Sequence, residues 1–238
     1  MRLVLAQLRM ELATLVRNYE QLLLIVIIPV GVLVFFGNVE VLPDGVDLGR
    51  VVSAVLALSV MSTAMVSTGI ATGFERSYHV LKRIGVTPLG RDQLVWAKAG
   101  SVGVVEVVQA VLLLVIAAVM GWSPDAASWW RLVIAMLLGT AAFAGIGLSL
   151  AGRLRAEVNL AAQNGLYLVL LAVGGVIVPV SELPGALGDV APWLPSGALT
   201  EVLESSLNGR ATDGAWGVLA TWAVIAPIAA ARLFRFDD

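Results

Sequence analysis

One carboxylate stands well inside a long apolar run: Glu106, with Gln109 one turn further on the same helical face. A carboxylate in lipid is costly and, where it occurs, faces a bundle interior or a wet cavity. The pair is therefore a candidate for a permeation pathway or a polar gate. The same residues also admit a plainer reading, in which Glu106 lies near a membrane surface and pairs with Lys98, Arg153 or Arg155. Asn159, Gln163, Asn164 and Tyr167 open a later apolar run, and Ser53, Ser59, Ser62, Thr63, Ser67 and Thr68 punctuate an earlier one. Side chains of this kind either line a route or bond their own helix and its neighbours. For the Ser/Thr set the bonding role is expected. The candidate pathway residues are Glu106, Gln109, Asn164 and Tyr167.

Little else here could make or break bonds. No Gly-x-x-x-x-Gly-Lys-Ser/Thr phosphate loop is present, so any ATP has to be handled by another chain. With no cysteine, disulfides, thiolate metal sites and cysteine nucleophiles are excluded. His79 is the single histidine, which argues against an intramembrane Ser-His protease and a histidine-rich metal site. The expectation is a chain with no catalytic residue, no cofactor and no metal, and not an enzyme. A net charge of -2 also argues against a nucleic-acid partner.

The elements that must position these residues are membrane helices. The chain is 59% hydrophobic and 13% charged, with a mean hydropathy of +0.92, against roughly 45 to 50% apolar usage in soluble domains. Runs near the roughly 20 residues that cross a bilayer predict six spans, at Leu22 to Val39, Val51 to Phe74, Ala99 to Gly121, Leu132 to Gly152, Val158 to Val180 and Ala215 to Ala231. Pro29 and Pro227 interrupt the first and last, which helices in lipid tolerate when neighbours re-satisfy the freed backbone groups. Gly69 and Gly73, and the stripe Ala141, Gly145, Ser149, predict close helix packing.

Six spans put both termini on one side. That side, with the loops at 75 to 98 and 153 to 157, holds twelve of the fifteen Lys and Arg residues, and the other holds only Arg50, Arg131 and Arg210. The imbalance places both termini and the 75 to 98 segment in the cytoplasm. Glu40, Asp44, Asp47, Asp125, Glu182, Asp189, Glu201, Glu204 and Asp213 make the opposite loops acidic.

Three segments flank the spans within a single domain over 1–238. Residues 1–20 repeat Leu5, Leu8, Leu12 and Leu15 at helical spacing, with Gln7, Arg9, Glu11 and Asn18 turned elsewhere, as in a helix lying in the membrane interface. Arg9, Glu11 and Arg17 set this segment apart from a signal peptide. Residues 179–213 are too polar to span yet carry Leu183, Leu187, Trp193, Leu194, Leu199, Leu203 and Leu207. Pro184, Pro192 and Pro195 divide them into two short external helices at or dipping into the outer interface, with Trp193 at headgroup level.

The third segment is the charged stretch from Glu75 to Arg91. As a helix over 75–90 it puts Arg76, His79, Lys82 and Arg83 on one side and Phe74, Tyr78, Leu81 and Gly85 on the other, with Gly85 and Pro88 as stop signals. Glu75-Arg76, Leu81-Lys82-Arg83-Ile84 and Thr87-Pro88-Leu89 look like the signature between the second and third spans of the type-2 permeases of ATP-binding-cassette (ABC) transporters, in particular the small drug-exporter-like members. Leu183-Pro184 and Trp193-Leu194-Pro195 are similar to that family's proline-punctuated external helices. The resemblance covers nearly the whole chain. Ser77, Tyr78 and His79 stand where an acidic residue and a glycine often follow the opening Glu-Arg.

The resemblance implies an all-α integral membrane fold of the type V exporter kind, with six transmembrane helices, an N-terminal amphipathic interfacial helix, a cytoplasmic coupling helix between spans two and three, and short re-entrant external helices between spans five and six. It implies that Glu75, Arg76, Tyr78, His79, Leu81, Lys82 and Arg83 form the coupling segment for a cytoplasmic ABC ATPase, in which Tyr78, Leu81, Lys82 and Arg83 contact the partner and Glu75 and Arg76 fix the helix start. ATP and Mg would be bound by that partner. A second permease copy, identical or not, and the lipid bilayer complete the expected partners. The function implied is ATP-driven export of an amphiphilic substrate across the cytoplasmic membrane. A stand-alone secondary carrier or channel and a membrane scaffold for an enzyme complex are the alternatives.

Overall fold

The computed structural model describes residues 2–39, 47–80, 91–124, 127–176, 178, 180–209, 212 and 214–233. Among them every regular element is a helix. Helix α1 covers Arg2–Arg17, α2 Tyr19–Asn38, α3 Leu48–Ser77, α4 Arg91–Val119, α5 Trp129–Ala151, α6 Ala156–Val173, α7 Ala186–Val190, α8 Pro195–Asn208 and α9 Ala215–Leu233.

Five helical stretches are long and apolar enough to cross a membrane: Leu48–Ser77, Ala97–Val119, Trp129–Ala151, Ala156–Val173 and Ala215–Leu233. The expected first span falls in α2, whose described apolar stretch, Ile25–Asn38, is shorter. The fifth span, predicted to reach Val180, ends as α6 at Val173. Gly174 and Gly175 follow, and Gly175 takes φ 66°, a left-handed conformation that helices do not continue through.

Helix α3 is the core of the bundle. Asp47 caps it, its side chain accepting a 2.8 Å bond from the Arg50 backbone N–H, and every residue from Gly49 to Val60 is buried. Helices α2, α4, α5, α6 and α8 pack around it, so it reads in sequence as apolar on all sides. Among the described residues the most extensive helix pairing is α5 with α9. A Cβ on Gly145 would strike the backbone of Ala226 and Pro227, so the small-residue stripe does what its spacing predicts.

Between α6 and α9 lie the two short α-helices α7 and α8, and they differ sharply. None of the residues of α7 is buried and Trp193 beyond it is exposed, whereas α8 is buried from Pro195 to Leu207 apart from Glu201. Instead of lying on a surface, α8 fits between α3, α5 and α9. Leu199 packs where Gly139 of α5 leaves room, and Gly209 ends the helix in the left-handed conformation, φ 70°.

Helix ends sort into two groups. At one end Lys98, Arg76 and Arg153 tie together α1, the end of α3, the start of α4, the turn between α5 and α6, and the end of α9. At the opposite end Arg50 and Arg131 gather the starts of α3, α5 and α9 and the helix α8.

Candidate functional site

The charged segment begins differently from the single helix expected over 75–90. Glu75 and Arg76 belong to the last turn of α3, which runs on to Ser77. His79 then takes φ 56°, the left-handed region that side chains other than glycine adopt uncommonly, and the helix breaks there. The Arg76 guanidinium donates to the Gly152 carbonyl at 3.0 Å and the Leu154 carbonyl at 2.6 Å, anchoring this turn to the one between α5 and α6. Tyr78 stacks on Phe74 with ring centroids 6.1 Å apart, the face its spacing predicts, and remains 68% exposed. Leu81, Lys82 and Arg83 lie outside the described residues.

Lys98 is the hub of this end. Its Nζ donates to Glu75 Oε1 at 2.7 Å and approaches Glu11 Oε1 at 3.3 Å, so one ammonium joins α1, α3 and α4. Gln7 donates to Glu11 at 2.8 Å and is itself buried. Gln7 and Glu11, expected to turn away from the apolar face of α1, face the bundle instead, while Leu5 is exposed. The physical reason is that a leucine loses little by facing lipid, whereas a carboxylate at a membrane needs a partner, and Lys98 of α4 supplies it.

Glu106 and Gln109 are both buried on the inner side of α4. Thr140 of α5 donates to Glu106 Oε2 at 2.5 Å, and Oε1 has no hydrogen-bond partner among the described residues. Of the candidate basic partners of Glu106, Lys98 is engaged by Glu75 and Glu11, and Arg153 donates to the Leu233 carbonyl at 3.0 Å. Gln109 accepts from Thr63 Oγ1 and donates to the Ile25 carbonyl, each at 2.8 Å, linking α2, α3 and α4.

The polar opening of α6 divides in two. Asn159 donates to the Gly69 carbonyl at 2.9 Å and Gln163 to the Gly147 carbonyl at 2.8 Å. These amides fill the space left by Gly73 and Gly69, so they bond helices together. Asn164 is exposed and donates to Leu160 of its own helix, and Tyr167 packs half-buried against the core. Neither is brought near Glu106 or Gln109 by a hydrogen bond. Ser53, Ser59 and Ser62 likewise bond carbonyls of α3 itself.

Midway along α3, Met61–Ser67 forms a π-helical segment. Thr68 Oγ1 donates to the Thr63 carbonyl, five residues back, at 2.9 Å. The wider turn brings Thr63, Ser67 and Thr68 to the wall of a cleft bounded by α1 and α4. Segments of this kind are frequent at functional sites.

Residues 2–207 match the family described as ABC-2 type transporter. The chain belongs to that family. This ABC-2 chain is also similar to YvfS of Bacillus subtilis (strain 168), named as a transport permease, at 24% identity over 192 residues, or 78% of each chain. It is a multi-pass membrane permease, of a family generally paired with an ATPase subunit and resident in a membrane.

One constellation of the ABC-2 permease escapes sequence reasoning. Arg50, 2% exposed, bonds Glu201 at 2.8 Å, Glu204, and the Gly175 carbonyl at 2.6 Å. Nearby Arg131 donates to Ser205 and lies 5.4 Å over the Trp216 ring. The available signal is two carboxylates three apart on one helix, opposite two of the three basic residues assigned to that side.

Proposed function

We propose that this chain is the membrane-spanning subunit of an ATP-driven exporter in the cytoplasmic membrane, with both termini in the cytoplasm. A separate ATPase binds ATP and Mg and docks on the segment that follows α3, and two permease copies form the pathway. The cargo is an amphiphile. On this reading α2 is the first of six spans, α1 lies in the inner interface, and α7 and α8 are the external helices.

The observation that carries the reading is the anchoring around Tyr78. Every charged neighbour of this exposed ring that the structure describes turns inward: Glu75 to Lys98, and Arg76 to the α5–α6 turn. A displacement applied beyond Tyr78 is therefore passed to α1, α3, α4, α5 and α6 together. A ligand-driven switch needs contacts that differ between two states, and such a braced end can transmit them. The basic side chains just beyond it, Lys82 and Arg83, suit an acidic groove on the partner.

The test is charge reversal, Lys82→Glu with Arg83→Glu, in a chain co-expressed with its ATPase. Co-purification of the two and ATP-dependent efflux from vesicles should both fall by roughly tenfold or more, the equivalent of one strong charge-assisted contact. Unchanged co-purification and efflux would overturn the docking assignment. Efflux that persists without any ATPase would instead favour a stand-alone carrier.

A further inference from the structure

In the reading above the ion pair at the cleft between α1, α3 and α4 braces this end of the bundle, and the cleft itself has no assigned ligand. Its volume is about 100 Å³, and it is lined by the π-helical residues Thr63 and Ser67 with Thr68, by Val102 and Val105 of α4, and by the triad Glu11, Glu75 and Lys98. Pockets that enclose drug-sized molecules run to roughly 300 to 1,000 Å³. This one has room for a polar head alone.

Its chemistry selects the head. Among the described residues, two carboxylates converge on one ammonium. Glu75 Oε2 is shielded from solvent and has no hydrogen-bond partner among the described residues, while Oε1 is held by Lys98. A carboxylate oxygen left so costs free energy that a donor restores, and a charged donor restores most. Beyond the triad the wall is apolar at Val102 and Val105, and α4 carries exposed valines further along, Val104, Val108 and Val111.

We propose that this cleft binds the ammonium head of an amphiphile, pairing it with Glu75 and laying the attached tail along α4. The same chemistry is offered by an aminophospholipid of the surrounding leaflet and by a free cationic amphiphile. The proposal rests on the reading above only for placing this end of the bundle at a membrane surface. It requires neither ATP nor an ATPase.

The test uses the full chain in phosphatidylcholine nanodiscs, without ATPase or nucleotide, and compares equilibrium binding of labelled dodecylamine and dodecanol after subtraction of empty discs. Dodecylamine should bind roughly tenfold more tightly than the alcohol. Glu75→Gln, which replaces the unpartnered acceptor by an amide, should reduce that preference to under roughly twofold. Val105→Trp fills the cleft without altering its charge and should remove the binding of both probes; it carries the test if Glu75→Gln does not assemble. Equal binding of amine and alcohol by the parent, or a preference that survives Val105→Trp, overturns the proposal. Competition by phosphatidylethanolamine added to the discs identifies the leaflet lipid as the occupant, and its absence identifies a free amphiphile; both support the site. Unchanged co-purification and efflux in the docking experiment would sink the docking assignment and leave this binding unchanged.

Discussion

Arg50 and Glu204 lie 154 positions apart and form an ion pair sealed inside the bundle, each almost wholly shielded from solvent. The pair fixes α8 to the start of α3, and the Gly175 carbonyl extends it to the end of α6. Without Glu204 the buried Arg50 guanidinium keeps only the part-exposed Glu201 and the Gly175 carbonyl. Glu204→Leu should therefore cost about 3 to 5 kcal/mol, whereas Glu201→Gln, at a carboxylate 33% exposed, should cost about 1 kcal/mol or less. Thermal unfolding in detergent measures both. Equal melting of Glu204→Leu and the parent would show that the pair does not hold α8.

Gly145→Leu should disrupt the bundle. The α5–α9 approach leaves no space for a side chain at Gly145, and the obstacle is backbone, which cannot rotate away. A loss of about 3 kcal/mol or more is expected, visible as aggregation in size-exclusion chromatography. Gly103→Ala is the matched control, since nothing lies within 4 Å of a Cβ there. It should be neutral or slightly stabilising, by up to about 1 kcal/mol.

Glu106→Gln separates the fold from the pathway. The amide oxygen still accepts from Thr140, so expression and melting should match the parent. If the carboxylate serves cargo movement, vesicle efflux falls roughly tenfold or more. Parental efflux would remove Glu106 from the pathway and leave it a helix-bonding residue.

Lys98→Met should uncouple the machine without undocking it. The exposed Tyr78 remains available, but α1, α3 and α4 lose their shared ammonium. The ATPase should still co-purify, while cargo-stimulated ATP hydrolysis drops by roughly tenfold, and Lys98→Arg should recover part of it. Full stimulation in Lys98→Met would mean that the triad does not transmit the switch.

Legibility followed the range of the interaction. The all-helical membrane character, most span positions, the small-residue contact at Gly145 and the shared face of Phe74 and Tyr78 were readable, because lipid demands long apolar helices and helical spacing is local. The end of α6 was not, because apolar residues continue past Val173 and only the backbone conformation of Gly175 stops the helix. Nor was the break at His79, or the anchoring of the turn before it by Arg76, which reaches carbonyls 76 and 78 positions away.

By itself the sequence determined what the solvent imposes: which segments can be in lipid, which side the basic residues favour, and that no phosphate loop is present. The tertiary structure decided what each polar residue does once water is removed. Lys98 went to Glu75 and Glu11 and not to Glu106, Asn159 and Gln163 filled glycine gaps, and α8 entered the bundle around Arg50. The physical reason is common to all three. A charge or amide withdrawn from water costs several kcal/mol unless it is paired, and its partner is chosen by distance in space, which spacing along the chain does not encode.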